Sequence, residues 1–338
     1  MRKFLFALLI ICSGLSSVKT APDSEIQLWP VTQPYETGYL KVSDIHEIYY
    51  QLCGNPEGQP VFALHGGPGG SCSPDMCRFF NPEKYFIVLH DQRGAGKSEP
   101  FADIRENTTQ HLVADIERLR KHLKVEKMIL FGGSWGSTLG LAYAEAYPEH
   151  VSGMVLRGIF LATQDEIDHF FHGGVKKYFP ELWEKFESSF PDPERRPIPD
   201  YLLELLQSPD STMQAKYARV WAEYEIKLAS LHFPDDQMAP IFEHFNPLAF
   251  SRLENYYMAN HCFLEEGQLL RDAGKIKDIP LVMVNGRYDM ICPPITAYRL
   301  HKLLPKSRLV IAEEAGHWMG EKSIEAAMWQ AMRDFEPK

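Results

Sequence analysis

The sequence lacks the features that would place it outside the ordinary globular proteins. Its N-terminal apolar run, Phe4 to Ile11, falls well short of the about 20 residues that a membrane-spanning helix needs. No two cysteines stand in a C-x-x-C spacing, so a structural zinc site has little support. There is no surplus of basic residues: Lys and Arg number 35 against 45 Asp and Glu, a net charge of −10. Nucleic acid or an anionic membrane would call for a basic surface, so neither is an expected partner. Internal repeats of solenoid type are absent, and the composition fits neither collagen, coiled coil nor extended disorder. What is present is 338 residues, 45% of them hydrophobic. That suffices for one large domain with an insertion, or for two modest ones.

The first twenty residues differ from the rest. Arg2 and Lys3 precede the apolar run, and a polar stretch, Ser16-Ser17-Val18-Lys19-Thr20, leads to Ala21. This layout predicts a secretory signal peptide over residues 1–20 and a periplasmic or secreted protein with no stable membrane association after cleavage. A retained N-terminal anchor is the alternative. Five cysteines would remain: Cys53, Cys72, Cys77, Cys262 and Cys292. The odd number leaves at least one thiol unpaired, and Cys72 and Cys77 are near enough in sequence to be bridged.

Short apolar runs followed by glycine-rich or polar turns recur along the chain: 61–64, 86–89, 128–131, 154–156, 281–284 and 308–311. Such runs read as strands buried on both faces of a parallel sheet. Between them lie helical patterns, one over Thr109 to Leu123 with Leu112, Ile116, Leu119 and Leu123 on one face. Another runs from Ser137 to Tyr147 and is stopped by Pro148. The alternation predicts a mostly parallel, doubly wound α/β sheet over residues 21–160 and 254–338. Residues 161–253, rich in aromatics, proline and acidic residues with helical stretches such as Lys216 to Leu231, read as a helical cap inserted into it. An independent second domain fits less well, because strand patterns lie on both sides.

Gly132-Gly-Ser134-Trp-Gly136 fits G-x-S-x-G between a strand and a helix, the setting of a nucleophile elbow in the α/β-hydrolase fold. A serine hydroxyl needs a base. His317 follows the last strand pattern, and Asp289, just beyond the strand at 281–284, can fix the tautomer of that histidine. The order Ser134, Asp289, His317 is the one this fold uses. Glu313 and Glu314 lie nearer to His317 in sequence but read as a solvated loop. The oxyanion would be met by the backbone N–H of Trp135 and by Gly67 in the turn His65–Gly70. Gly94-Ala-Gly-Lys-Ser98 resembles a phosphate-binding loop, but the first glycine it requires would fall at Asp91. Asn107-Thr-Thr109 matches a glycosylation acceptor.

With His65-Gly-Gly-Pro-Gly-Gly70, Asp91-Gln-Arg-Gly-Ala-Gly96, Gly132-Gly-Ser-Trp-Gly-Ser137, Gly286-Arg-Tyr-Asp289 and Gly316-His317 in place, the chain resembles the proline iminopeptidases from about Tyr35 to Glu321. That resemblance implies a serine exopeptidase removing N-terminal proline through an acyl-enzyme on Ser134. It also implies two cap glutamates, Glu225 and Glu254, facing the amino terminus of the substrate. The chain departs from the family pattern at Ser71, Tyr224 and Trp318. The implied partners are peptides with a free N-terminal proline, and acyl transfer calls for no metal or other cofactor. An esterase or a broader aminopeptidase of the same fold, and a non-catalytic binding protein, are the competing readings.

Overall fold

The computed structural model describes residues 19–20, 26–192, 194–195 and 197–337. All of the expected signal peptide except Lys19 and Thr20 lies outside the described residues. Among them a nine-stranded sheet runs β1 (Lys19–Thr20), β9 (Arg308–Ala312), β8 (Leu281–Gly286), β7 (Val151–Ile159), β6 (Met128–Ser134), β4 (Gln59–Leu64), β5 (Tyr85–His90), β3 (Glu47–Gly54) and β2 (Glu36–Lys41). Strands β4 to β9 are parallel to one another, whereas β3 lies antiparallel to β5, and β2 to β3. The six runs read as strands are all strands, each longer by one to several residues. The β2–β3 hairpin had no such signal. Its outer strand, Glu-Thr-Gly-Tyr-Leu-Lys, is exposed at alternate positions or more, as an edge strand is.

The parallel strands bury both faces. Phe62, Val88, Leu130, Leu156 and Met283 point into one apolar cluster with Leu112 and Ile116 of α1 (Thr109–His122) and Leu139 of α2 (Trp135–Ala146). Val61, Ile87, Ile129, Val155 and Val282 point into the other with residues of the C-terminal helix at 322–334. Between β7 and β8 stand α3 (Gln164–Phe171), α4 (Pro180–Glu187), α5 (Ile198–Leu206), α6 (Ser211–Ala229), α7 (Met238–His244), α8 (Pro247–Ala259) and the short α9 (Gln268–Arg271). The expected edge of the insert at residue 253 falls inside α8, which continues to Ala259. After β8 come α10 (Pro294–Leu303) and, after β9, α11 (Lys322–Asp334).

Two sequence features take structural roles. Asn107 is 1% exposed; its amide donates to the carbonyls of Arg93 and Asp103, and its oxygen accepts from the Tyr257 hydroxyl. It ties the loop ahead of α1 to α8 and cannot present itself to a glycosylating enzyme in the folded state. All five cysteines are buried and unbridged, and the Cys72 thiol donates to the carbonyl of His90 at 3.0 Å. Arg93 is buried in a two-pronged pair with Asp115, at 2.6 and 2.8 Å. Removing one partner of such a pair strands the other charge in an apolar setting. Asp115→Ala is therefore expected to cost about 3–5 kcal/mol, read as a fall in the urea midpoint; an unchanged midpoint would show that Arg93 finds water instead.

Candidate active site

Strand β6 turns into α2 within a single residue. Ser134 carries φ 57° and ψ −128°, a conformation that side chains avoid unless the surroundings enforce it. What enforces it is the approach of α2 to the sheet: a Cβ at Gly136 would meet the carbonyl oxygen of Leu64 on β4. The turn is then stitched by Ser137, whose hydroxyl donates to the Ser134 carbonyl at 2.7 Å and accepts from Phe160 N–H at 3.1 Å. Trp135 is the first residue of α2, where backbone N–H groups have no partner within the helix.

The structure brings Asp289 and His317 together. The Oδ2 of Asp289 accepts from His317 Nδ1 at 2.8 Å, while its Oδ1 accepts the N–H groups of Ile291 and Cys292 at 3.0 and 2.7 Å. With Nδ1 as donor, Nε2 holds the lone pair. Burial pushes the imidazole below its ordinary pKa, and the nearby Asp289 charge opposes that shift. The ring lies over Gly158, where a Cβ would stand 2.9 Å from His317 Cε1. Gly158 is the residue passed over where the pairing of β6 with β7 shifts, between Gly133↔Arg157 and Ser134↔Ile159. The imidazole thus sits over the residue that precedes Ile159, the strand partner of Ser134. Its main chain is held by Ala229, which accepts from His317 N–H at 2.7 Å, and by Arg157, which donates to the His317 carbonyl at 2.5 Å.

Gly67 lines the same narrow pocket as Ser134 and has φ +109°, open to glycine alone at little cost. The loop before it is braced by Gln92. This residue donates its amide to the His65 carbonyl, donates its N–H to His65 Nε2, and accepts from the Trp135 indole, all at 2.9–3.0 Å. His65 Nδ1 in turn donates to the Gly66 carbonyl. Gln92 escaped the sequence analysis as a residue with a role, although it stands inside the Asp91–Gly96 motif.

The rest of the pocket wall is apolar, with Phe160, Ile167, Phe170, Phe171, Met258 and Ile291, apart from Glu254, Glu166 and the Cys292 thiol. Glu254, on α8, accepts from the Trp221 indole at 2.8 Å. Glu225, on α6, makes a side-chain hydrogen bond to it, and the Glu225 Oε2 is buried without a partner. Burial pushes Glu225 up to about 7, and burial together with the Glu225 charge raises Glu254. Two carboxyls in hydrogen-bond contact with no cation between them hold a proton. Glu166 was not foreseen. It accepts from Leu161, Thr163 N–H and the Thr163 hydroxyl, and its sequence signal is the capping box Thr163-x-x-Glu166 ahead of Ile167.

Comparison with known proteins shows the fold and the family of the chain. A family model described as alpha/beta hydrolase fold matches residues 59–323. A proline iminopeptidase of Xanthomonas citri is 47% identical over 291 residues, 86% of this chain and 93% of its own. The chain belongs to the proline iminopeptidase family of α/β hydrolases. Another member, from Arabidopsis thaliana, is 45% identical over 303 residues, 89% of this chain and 80% of its own. Among solved structures, an alpha/beta hydrolase enzyme from a Medee basin deep-sea metagenome library superimposes with a TM-score of 0.62 at 17% identity, covering 89% of this chain and 98% of its own; it shares the fold.

In this family member the carboxyl pair has a consequence for stability. The unfolded Glu225 ionises near its ordinary 4.5, whereas the folded one keeps its proton up to about 7. Stability therefore declines as pH rises across that window and the penalty is complete above it. Glu225→Gln removes the Glu225 titration and its repulsion of Glu254, and offers Glu254 an amide donor. The variant should be more stable than the parent at pH 8, with the difference shrinking toward pH 4, as read by chemical denaturation. An equal difference at both pH values would mean that the pair carries no shared proton.

Proposed function

We propose that the chain hydrolyses the bond after an N-terminal proline of peptides, through an acyl-enzyme on Ser134. The observation that carries this reading is the pairing of a carboxylate, Glu254, with Ser134 in one apolar pocket. A pyrrolidine ring suits walls of phenylalanine, isoleucine and methionine, and its ammonium group suits a carboxylate otherwise buried without a cation. When the ammonium arrives, the Glu225–Glu254 pair gives up its proton and becomes anionic. The names of the relatives point the same way.

Catalysis then follows from the groups around the scissile carbonyl. His317 Nε2 takes the proton of the Ser134 hydroxyl as oxygen attacks carbon. The N–H groups of Gly67 and Trp135 receive the negative charge of the tetrahedral oxygen. His317 returns the proton to the leaving amine as the C–N bond breaks, and water repeats the sequence on the prolyl ester. Asp289 keeps Nδ1 protonated throughout and stabilises the imidazolium. Because burial holds His317 below its ordinary pKa, the base stays neutral, and kcat/KM is maintained, to a more acidic pH than free imidazole would allow.

The protein should release the chromophore from a prolyl chromogenic amide far faster than it hydrolyses a simple acetyl ester. Fast ester turnover without amide cleavage would leave an esterase, and no fluorophosphonate adduct at Ser134 would leave a binding protein. Ser134→Ala should lower kcat by at least about 10⁴-fold, and Asp289→Asn by about 10³–10⁴-fold. Glu225→Gln and Glu254→Gln should raise KM for free-amine substrates about tenfold or more while affecting N-blocked ones less; equal effects on both classes would remove the amine-anchor role. The same reading has the chain exported, on the strength of Arg2-Lys3, the apolar run and the polar stretch before Ala21. N-terminal sequencing of the protein made in a secreting host should then begin near Ala21.

A further inference from the structure

Eleven large apolar side chains are exposed among the described residues, and three of them fall on the short segments that hold His317 in place: Leu231 at 47%, Tyr288 at 54% and Trp318 at 57%. These segments are tied together at the backbone. Ala229, the last residue of α6, accepts from the N–H groups of both His317 and Trp318 at 2.7 Å. Tyr288 N–H donates to the Ala315 carbonyl at 2.9 Å. Glu321 binds Leu231 N–H at 2.8 Å with one oxygen and Gly316 N–H with the other. The indole of Trp318 lies over Gly320, where a Cβ would stand 2.6 Å from its ring, so its position is fixed from one side while its surface stays open. Scattered exposed apolar residues need no explanation; three gathered around the proton donor of the reaction do.

Charges do not account for this patch. Arg287 beside Tyr288 is neutralised by Glu313 at 2.8 Å, and Glu321 uses both oxygens on backbone N–H groups. Leu231, Tyr288 and Trp318 expose large apolar surface on backbone segments that are tied together, which suits an apolar ligand.

The reaction states which part of the substrate comes here. His317 delivers its proton to the amide nitrogen while the carbon–nitrogen bond breaks, so the departing residue, the second of the peptide, lies on the His317 side of the scissile bond. We propose that Leu231, Tyr288 and Trp318 form the subsite for that second residue, and that it favours an aromatic or large aliphatic side chain. This rests on the prolyl exopeptidase reading and adds to it a preference on the leaving side.

The test is kcat/KM for prolinamide, Pro-Gly-amide, Pro-Glu-amide and Pro-Phe-amide. Pro-Phe-amide should exceed Pro-Gly-amide by about tenfold, the scale of one good aromatic contact, and Pro-Glu-amide should gain nothing over Pro-Gly-amide. In Trp318→Ala the Phe-to-Gly ratio should fall to within about twofold, and Trp318→Phe should keep most of it. If the parent protein cleaves all four with a Phe-to-Gly ratio within twofold, or if Trp318→Ala lowers both rates alike and leaves the ratio intact, the subsite is overturned and the exopeptidase reading stands. If acetyl ester is hydrolysed and none of the four amides is, both fall together.

Discussion

The site depends on how closely α2 is allowed to approach the sheet. At Gly136 there is no room for a side chain against the Leu64 carbonyl, and the chain can make that approach only by passing through the strained conformation of Ser134. The same irregularity shifts the β6–β7 pairing by one residue, and the residue passed over, Gly158, is the floor on which the His317 ring rests. One steric constraint therefore sets both the backbone of Ser134 and the seat of the His317 ring. The cost of the positive φ is met by the hydrogen bonds of Ser137 and by the packing of α2 against β4, β6 and β7.

Helix α6 joins the buried carboxyl pair to the segment that carries His317. It carries Trp221 and Glu225 on its buried face, so it sets the carboxyl pair. Its final carbonyls lack partners within the helix, and the one at Ala229 takes the N–H groups of His317 and Trp318. Glu225 and Ala229 stand four residues apart, about one helical turn. Any displacement of α6 would move the Glu225 carboxyl and the His317 backbone together. The helix is held by aromatic stacking of Phe171 on Trp221, with centroids 4.7 Å apart, and of Phe186 on Tyr224, at 4.2 Å.

Burial does chemical work at two places in this site. It lowers the pKa of His317, with the Asp289 charge opposing the shift. It also raises the pKa of both Glu225 and Glu254, whose charges oppose one another. Carboxyls held this way cost the folded chain stability as pH rises through their titration.

The amino-acid sequence by itself determined the parallel strands, because their apolar runs are local and continuous, and the elbow at Ser134, because glycine spacing dictates backbone geometry over five residues. It also supplied the order of serine, aspartate and histidine. Only the tertiary structure decided what required distant groups to meet. The β2–β3 hairpin carries mixed polar residues, since its outer strand lies at an edge. Asn107 matches an acceptor motif, but only its contacts with Arg93, Asp103 and Tyr257 show it buried. Gln92 bridges two loops and the Trp135 indole, and Glu225 finds Glu254 across two helices. Pairings of that kind depend on how helices dock, and docking is settled by side-chain packing over the whole cap, which no local pattern in the chain encodes.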